Sequence, residues 1–541
     1  MIKQLKNLRV TINSILGGFS STFHLSKEDE YLSALAIDPE VEYGATEKIL
    51  GAIFPTASTL ISGGLEGLKQ APAWITGSQT STGVFVYGAN GTLFTYSNVL
   101  APQDNETAGI ITTSGKGNGM VAAGDYLYLA TGTGVTRFGL LSTTQPTALT
   151  TFWTTANTGE GLGLTALTDT TYPGTLDIGN SVAYPNHVMH LHNDGYIYVA
   201  DYVSGQGMIH SFYSGASTTS LTATYSDLLL PPGLYPTDIK SYGTDLAILC
   251  TPAGNFTAGS VPRQGNCALI LWDTTSNNFY RSVTINEPVA TALANKNGEL
   301  YIFAGNIDRH VKVLKYLGGF GFQPVVDLNE GSPPPAGAVD TLGNMIAWGG
   351  WGGTGASTYF ANVYTYGYRS LPGNALNSIM RISHTDGTYA YHRISALRFV
   401  LNSSGYPVVG WHTDTNGAGY KYGLDYAGTG ALTSKFKTRV FNIGTQYNIK
   451  RIRIPLLDYV SADTVITPTV FMDGGVAADG SALTQALPVI NRDNYPNQER
   501  LIDYTDLAIG GMRNFYIQFV WSSTATVGIG PNVTIDLDLY D

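Results

Sequence analysis

Gly298-Glu299-Leu300-Tyr301-Ile302-Phe303 is the stretch that decides the fold, because a glycine is followed by a short run of aromatic and aliphatic residues. Glycine tolerates the positive φ of a tight turn, and the run after it predicts a strand with alternating faces. Weaker copies of the pattern follow Gly243, Gly343 and Gly405. The other clear copies are Gly91-Thr92-Leu93-Phe94-Thr95-Tyr96, Gly124-Asp125-Tyr126-Leu127-Tyr128-Leu129 and Gly195-Tyr196-Ile197-Tyr198-Val199.

The copies begin 33, 71, 48, 55, 45 and 62 residues apart. A four-stranded propeller blade takes about 40–50 residues, so the spacing predicts one blade for each copy, with insertions such as residues 142–185. We therefore expect an all-β protein with a β-propeller of about seven blades over residues 61–431, and about six or eight also fit. The expected blade centres are Phe85–Tyr96, Met120–Phe138, Val188–Phe212, Ile239–Trp272, Val289–Tyr316, Ala338–Tyr366 and Ile394–Tyr426.

Residues 1–60 lie outside the repeat and predict an N-terminal arm, an assembly segment that packs on another subunit. A segment that plugs or closes the propeller fits the same residues. Within this part of the chain, a short helix is expected over residues 26–36. Ser26 and Asp29 resemble a capping box, and Asp38-Pro39 would end the helix.

The pattern changes again in residues 432–541, where apolar and polar residues alternate as in half-buried antiparallel strands. A segment of about 110 residues suffices for two packed sheets. We therefore expect a jelly-roll-like β-sandwich at the C-terminus. The alternating runs are Lys435–Phe441, Lys450–Leu456, Phe515–Trp521 and Val533–Tyr540.

The composition narrows the classes of partner. The chain has 541 residues, of which 43% are hydrophobic and 13% charged, and its 29 basic and 40 acidic residues give a net charge of −11. No segment is basic, so tight binding of nucleic acid through its phosphates is not expected. An acidic wall past which DNA slides is compatible with this charge, and solubility alone would also explain it.

Cys250 and Cys267 are the two cysteines of the chain. We expect them to be reduced core residues, although they could face each other across a hairpin. No run of 18 apolar residues predicts a membrane span, and the N-terminus lacks the apolar segment of a signal peptide. Synthesis and assembly in a cytoplasm are therefore expected.

Three groups of polar residues are candidate metal sites. His190 and His192 share one strand face next to His187 and could ligate zinc, but no third ligand follows at a familiar spacing, which favours surface histidines. Asp414-Thr415-Asn416-Gly417 resembles part of a calcium loop without its later glutamate, which favours a polar hairpin turn. Asp536 and Asp538 share a face of the last strand, where a cation or simple exposure would explain them.

Catalytic motifs are missing from the sequence. We find no nucleophile elbow, no phosphate-binding glycine loop and no metalloprotease helix motif. A propeller glycosidase would need carboxylates that converge from different blades, which a sequence cannot exclude. The repeat typical of sialidases is absent, and Trp272-Asp273 is a single pair. The alternating aromatic residues, such as Tyr196 and Tyr198, indicate packing between blades. We predict no catalytic residue, no cofactor and no metal ligand.

The order of parts carries a resemblance. Ile49–Thr56, Ala71–Ile75 and Val84–Gly91 resemble the opening of virion proteins of tailed bacteriophages, and Lys435–Phe441 with Lys450–Leu456 resembles the sandwich domains that close phage tail components. The resemblance implies a tail component without catalysis. It would form an oligomeric nozzle or tube ring below the portal, through which DNA passes. Its expected partners are copies of itself and other tail, portal or adaptor proteins, and its expected location is the virion, assembled in the host cytoplasm.

Two other functions are compatible with a propeller. A tail protein that binds host-surface carbohydrate would use exposed aromatic residues such as Trp348 and Trp351 in a glycine-rich loop. Binding of the isolated propeller to glycans would favour it. A secreted propeller hydrolase is the third hypothesis, against which the missing signal peptide counts, and hydrolysis of common polysaccharides would favour it.

Overall fold

The computed structural model of the chain consists of β-strands and short connections throughout the part that it describes, where no α-helix occurs. Three short 3-10 helices are found there, at Ala253–Phe256, Gly318–Phe320 and Ala336–Ala338. The described residues are 7–12, 18–19, 30–35, 37–38, 47–48, 51–52, 69–75, 82–87, 93–96, 119–131, 134–139, 148–154, 175–177, 181–183, 187–203, 205–214, 227–256, 266–306, 310–328, 333–350, 361–369, 373–382, 391–399, 407–414, 421–430, 434–476, 482–497, 499–522 and 527–539.

The strands are numbered in chain order. The first nine are β1 (Asn7–Ile12), β2 (Gly18–Phe19), β3 (Glu30–Leu35), β4 (Ile37–Asp38), β5 (Glu47–Lys48), β6 (Gly51–Ala52), β7 (Lys69–Ile75), β8 (Thr82–Tyr87) and β9 (Leu93–Tyr96). The next ten are β10 (Gly119–Ala123), β11 (Tyr126–Thr131), β12 (Gly134–Gly139), β13 (Ala148–Thr154), β14 (Thr175–Asp177), β15 (Ser181–Ala183), β16 (Met189–Leu191), β17 (Tyr196–Val203), β18 (Gln206–Tyr213) and β19 (Leu228–Leu229).

The middle of the chain continues in the same way. It contains β20 (Leu234–Tyr242), β21 (Asp245–Pro252), β22 (Cys267–Trp272), β23 (Arg281–Ile285), β24 (Val289–Lys296), β25 (Glu299–Asn306), β26 (His310–Tyr316), β27 (Phe322–Leu328), β28 (Val339–Leu342), β29 (Met345–Gly349), β30 (Ala361–Tyr366) and β31 (Leu376–Ile382). The last ten strands are β32 (Tyr391–Phe399), β33 (Pro407–Asp414), β34 (Lys421–Gly430), β35 (Ser434–Thr438), β36 (Phe441–Pro455), β37 (Ile466–Val476), β38 (Ala482–Ala486), β39 (Leu501–Tyr504), β40 (Ile509–Trp521) and β41 (Val533–Leu539).

Five sheets have the composition of a propeller blade, with four consecutive strands in sequence order. They are blade 1 (β10–β13), blade 2 (β16–β19), blade 3 (β20–β23), blade 4 (β24–β27) and blade 5 (β28–β31). The first strands of blades 1 to 5 contact their neighbours in the same order around one centre. The chain is therefore an all-β protein with a β-propeller.

The predicted number of about seven blades is wrong, because five such sheets are found among the residues that the structure describes. The glycine pattern marks one hairpin, and a hairpin does not guarantee a sheet of four consecutive strands. The copy after Gly91 leads into a sheet of three strands, β7–β9, and the copy after Gly405 leads into a sheet whose fourth strand is β6. The first strands of these two sheets, β7 and β32, contact each other, and β7 contacts β10 while β32 contacts β28.

The turn prediction itself is confirmed in the blades. Gly124, Gly195, Gly243, Gly298 and Gly343 all have positive φ, between 55° and 86°. Each lies in the tight turn between the first and second strands of its blade. The second strand that follows is almost entirely buried in blades 3, 4 and 5. The glycines therefore position the central strands of the blades, as the alternating runs indicated.

Aromatic side chains connect each blade to the next, which confirms the prediction of packing between blades. Their ring centroids lie 5.3–5.8 Å apart, a normal distance for favourable aromatic pairs. Tyr198 is one of them, whereas Tyr196 is 41% exposed and packs on Tyr213 of its own blade. The pairs, from blade 1 to blade 5, are Tyr128 with Phe212, Tyr198 with Trp272, Tyr242 with Tyr316, and Phe303 with Trp348.

Residues 142–185 are not simply a loop insertion, as the sequence had indicated. They contain β13, which is the fourth strand of blade 1, and the paired strands β14 and β15. Threonine, phenylalanine and tryptophan have high strand propensity, and they dominate Ala148–Thr154. The low content of charged residues in this region, which had indicated a loop, therefore accompanies strands as well.

The chain divides into two compact units. One consists of Met1–Ile53, Val363–Arg381 and Ala427–Asp541, and the other, the propeller unit, of Phe54–Asn362 and Ile382–Tyr426. In the first unit, β1 pairs along its length with β41 in a ten-stranded sheet. Its core contains many fully buried aliphatic and aromatic side chains from the C-terminal strands, such as Ile452, Ile517 and Trp521. Burial of these residues is the main stabilising term of the unit.

The predicted helix over residues 26–36 is wrong, because Glu30–Leu35 forms strand β3. This strand pairs with β35, where Tyr31 lies opposite Thr438. The Tyr31 ring is almost fully buried, with its centroid 5.4 Å from that of Phe436. Such tertiary packing outweighs a local capping signal, which contributes only about 1 kcal/mol.

Candidate functional site

A cavity of about 490 Å³ lies where the first strands of the blades meet in the propeller unit. Strands β10, β16, β20, β24, β28 and β32 all contribute residues to its wall. A volume of about 300–1,000 Å³ is typical of sites for small molecules. The wall is mostly backbone and apolar side chains, and its polar members are His190, Asp238, Lys240, Asn295, Asp340, Thr341 and Arg398.

Asp238 connects blade 3 to blade 4. Its carboxylate is fully buried and accepts hydrogen bonds from the backbone N–H groups of Ile239 (2.8 Å) and Leu293 (2.7 Å). The Lys240 ammonium lies 3.6 Å from the same carboxylate. Backbone N–H donors stabilise a buried carboxylate in its ionised form. The structure therefore uses Asp238 to hold two neighbouring sheets together.

Asp340 likewise connects two neighbouring sheets, through contacts between β28 and β32. Its carboxylate accepts the backbone N–H of Phe399 at 2.9 Å and lies 3.3 Å from the Arg398 guanidinium. The Asp340 side chain is 13% exposed, and that of Arg398 is 42% exposed. The carboxylate is thus largely enclosed, while the Arg398 side chain is more exposed and is one of the residues that line the cavity.

His190 and His192 connect blade 2 to blade 3 through Ser241. The backbone N–H of Ser241 donates to Nε2 of His190 at 2.9 Å, and its hydroxyl lies 2.8 Å from both that nitrogen and Nδ1 of His192. Nε2 of His192 donates to the Thr244 carbonyl at 3.1 Å. The shared partner confirms that both rings lie on one strand face. The prediction of surface histidines is wrong, because His187 and His192 are buried and His190 is half-buried.

The imidazole of His190 is expected to remain uncharged near pH 7. Burial, with smaller effects of Lys240 and His192, lowers the pKa of His190 to about 3. The unfolded chain then binds the extra proton first, so this group's contribution to stability is full above about pH 6.5 and is lost as the pH falls toward about 3. Histidine-selective NMR should show no titration of His190 between about pH 5 and 8. A midpoint near about 6.5 would contradict the hydrogen-bonded geometry.

A second polar cluster lies inside blade 2. Asp201 is fully buried, with its carboxylate 3.6 Å from Nδ1 of His187 and 3.3 Å from Nε2 of His210. It also accepts the backbone N–H of Tyr202 at 2.7 Å. Sequence reasoning missed Asp201 and His210, although a lone aspartate after the apolar run Ile197–Ala200 was a usable signal. A buried carboxylate requires polar partners; here His187 comes from the segment just before β16, and His210 comes from the neighbouring strand β18.

The remaining predicted sites have structural explanations in the part of the chain that is described. Asp536 forms an ion pair with Arg9 at 2.6 Å, and Asp538 lies 3.6 Å from Lys450, so the strand face is an exposed one crossed by ion pairs. Residues 415–420, with most of the suspected calcium loop, lie outside the described residues. No group of three or more His, Cys, Asp or Glu that could hold a metal occurs in the described ranges.

Cys250 and Cys267 are free and buried, in agreement with the expectation of reduced core residues. Burial raises the pKa of both thiols, that of Cys267 to about 12. Neither thiol is therefore ionised near neutral pH, and neither is a nucleophile.

Trp348 and Trp351 were expected to be exposed aromatic residues that could stack on carbohydrate, and the structure does not show this for either of them. Trp348 is fully buried, with its ring centroid 5.3 Å from that of Phe303, and Trp351 lies outside the described residues. Trp272-Asp273 is a local turn, in which the Trp272 indole N–H donates to the Ser276 carbonyl and Asp273 accepts the Ser276 N–H. The strand pattern had not distinguished packing tryptophans from exposed ones.

Radial four-stranded sheets around a central cavity define the chain as a β-propeller. No protein-family model matches it, and no curated protein matches its sequence. Solved structures similar to it include the β-propeller domain of Cps50 (Swd1) from Myceliophteria thermophila, with 12% identity over 69% of this chain and 99% of that one and a TM-score of 0.38. The WD40 propeller domain of Doa1 has 13% identity over 69% and 97%, with a TM-score of 0.38. The computationally designed Ika8 protein has 14% identity over 68% and 99%, with a TM-score of 0.36.

No helix in the described ranges has the length and apolar character needed to cross a membrane.

Proposed function

We propose that this chain is a structural component of a bacteriophage tail, a subunit of an oligomeric nozzle or tube ring through which DNA passes, without catalysis. One observation supports a structural role for the chain over a catalytic one. The carboxylates and imidazoles at the cavity are used for hydrogen bonds between neighbouring sheets, from blade 2 through to β32. The assignment to a phage tail rests on the resemblance of two parts of the sequence to virion proteins. These parts are Ile49–Thr56 with Ala71–Ile75 and Val84–Gly91, and Lys435–Phe441 with Lys450–Leu456.

The carboxylates at the cavity lack the freedom that hydrolysis requires. A glycosidase needs one protonated acid and one free carboxylate on either side of the bond, about 5–9.5 Å apart. Asp238 and Asp340 each accept a backbone N–H from a neighbouring sheet and lie close to a cation, so both carboxylates are engaged in contacts between sheets. Neither residue is a carboxylate without partners, which the pair of a glycosidase would require. This arrangement supports the non-catalytic proposal over the propeller hydrolase.

The cavity also bears on where DNA would pass. A DNA duplex is wider than its own major groove, which is about 12 Å wide and about 8.5 Å deep. A cavity of about 490 Å³ is therefore too small to hold a duplex. In the proposal, DNA follows the common axis of several copies and not the axis of one propeller. The net charge of −11 is consistent with passage without binding.

The terminal segments belong to the same proposal. Residues 1–60 would serve in assembly, and residues 432–541 would form a jelly-roll-like sandwich that meets neighbouring subunits. Support for the sandwich comes from the long strands β36 and β40, each of which pairs with several others around one apolar core. The N-terminal strands β1 and β3 pair with β41 and β35, which supports a close association of the two terminal segments.

Purified particles test the proposal directly. Tailed-phage particles whose genome encodes this chain are isolated on a density gradient, and the chain is quantified against the major capsid protein by mass spectrometry. We expect a fixed copy number of several chains per particle. Absence from particles, together with a monomeric mass in native mass spectrometry, would overturn the proposal. Hydrolysis of any common polysaccharide by the purified chain would favour the hydrolase instead.

An exposed aromatic hairpin is a candidate contact between subunits. Phe320 is 93% exposed in the turn between β26 and β27, where glycines flank it, and Leu317 beside it is 38% exposed. Phe320→Ser should leave stability within about 0.5 kcal/mol, because the ring packs on little of its own chain. It should weaken self-association at least about tenfold if the ring is buried between copies.

The measurement is the dissociation constant of the oligomer by analytical ultracentrifugation. Phe320→Tyr, which keeps the aromatic ring, is the matched control and should assemble normally. Equal assembly of the serine variant and the unaltered chain would remove this hairpin from the interface.

A further inference from the structure

The charged groups around the axial cavity differ in how fully they are used. Both oxygens of Asp238 accept a backbone N–H, and Asp340 accepts a backbone N–H and faces a guanidinium. Lys240 has three N–H donors and lies 3.6 Å from one carboxylate, while Arg398 has five and lies 3.3 Å from another. The acceptors are therefore occupied, whereas donors exceed their partners on both cations.

The two carboxylates are also less exposed to solvent than the two cations. Asp238 is fully enclosed and the Asp340 side chain is 13% exposed, while those of Lys240 and Arg398 are 28% and 42% exposed. All four residues line the cavity. The ammonium and the guanidinium are thus more accessible to a bound molecule than either carboxylate.

We propose that the axial cavity of the propeller binds a small oxyanion, an organic carboxylate or inorganic phosphate, through Lys240 and Arg398. Guanidinium groups bind both oxyanions with paired hydrogen bonds, and an ammonium adds a point charge. The site is separate from the proposed tail role, which needs no ligand. Its failure would leave that role unaffected.

The charges of the cavity wall favour a small ligand over a long polyanion. Two cations and two enclosed carboxylates give the charged groups of the wall a formal sum of zero, so a long polyanion is not attracted. The apolar wall residues, such as Val188, Leu293 and Leu397, suit the carbon skeleton of a compact acid. A compact anion with few charges therefore fits better than a nucleic acid.

Isothermal titration calorimetry on the full chain tests the proposal, with citrate in one arm and inorganic phosphate in the other. Sodium chloride at matched ionic strength is the reference for non-specific salt effects. We expect saturable binding with one site per chain in at least one arm. Lys240→Met and Arg398→Met should each weaken it at least about tenfold, because each removes a charged donor. Lys435→Met, at an exposed lysine outside the propeller unit, should leave it unchanged.

Hydrogen–deuterium exchange of the unaltered chain tests the same proposal without any variant, so it can be used if a variant fails to fold. Saturating anion should slow exchange in peptides that contain β20 and β32, and leave peptides of β36 and β41 unchanged. Absence of saturable binding in both arms would overturn the proposal. So would binding that persists in both methionine variants, or protection found only outside the propeller unit.

Discussion

Asp201→Ala is expected to lower the free energy of unfolding of the propeller unit by about 3–5 kcal/mol. The carboxylate is fully buried between His187 and His210 and accepts the Tyr202 N–H at 2.7 Å. Alanine would remove the acceptor that the Tyr202 N–H and Nε2 of His210 share, while Nδ1 of His187 would keep its contact with the Ala200 carbonyl at 3.1 Å. Loss of one partner in a buried polar cluster is costly. Urea denaturation, followed by a probe of the propeller unit, gives the change in free energy.

Two variants control this prediction. Asp201→Asn keeps one acceptor oxygen at the same position and should cost clearly less than alanine. Asp327→Ala removes a carboxylate that is 55% exposed and paired with His310, so it should change stability by at most about 1 kcal/mol. Equal stability of Asp201→Ala and Asp327→Ala would show that the buried cluster does not stabilise blade 2.

Trp272→Ala should destabilise the propeller unit by about 3–5 kcal/mol. Trp272 is 1% exposed and packs edge-to-face on Tyr198 of blade 2, with ring centroids 5.8 Å apart. Its indole N–H also donates to the Ser276 carbonyl at 2.7 Å. Alanine would create a cavity between blades 2 and 3, where rigid sheets cannot collapse to fill it. Differential scanning calorimetry should show a lower transition temperature for the propeller unit.

The controls separate packing from the hydrogen bond. Trp272→Phe keeps much of the ring volume and loses the N–H donor, so it should retain most of the stability that alanine loses. Tyr280→Ala removes an aromatic ring that is 54% exposed and should have a small effect. A small effect of Trp272→Ala would mean that the contact between these blades contributes little to stability.

The sequence contained enough information for the local structure of the blades. A glycine in a tight turn between two strands has a definite physical requirement, positive φ, and the run after it has a definite period. Gly195 and Gly298 illustrate both, since each turn has φ above 80° and leads into a buried second strand. These signals are local, so they survive in a single sequence.

Non-local pairing was the part that could not be predicted. The strand β6 completes the sheet of β32–β34 with residues more than 350 positions earlier in the chain. Likewise, β3 is a strand because Tyr31 packs beside Phe436, which no local pattern records. The blade count and the helix over residues 26–36 failed for this reason.

The candidate site was equally hard to predict, because its residues come from different sheets. His190 and His192 were placed correctly on one face, but their partner Ser241 lies about 50 residues later on the next blade. Nothing in the sequence joins these positions. Asp238 and Leu293 are another such pair, since a side chain of one blade accepts a backbone N–H of the next.

Cryo-electron microscopy of the assembled chain tests the central claim most directly. We predict several copies around one common axis, each with radial sheets around its own central cavity, and a path for DNA along the common axis. A map of isolated single chains, or one with a substrate held between Asp238 and Asp340 at the propeller centre, would contradict the account.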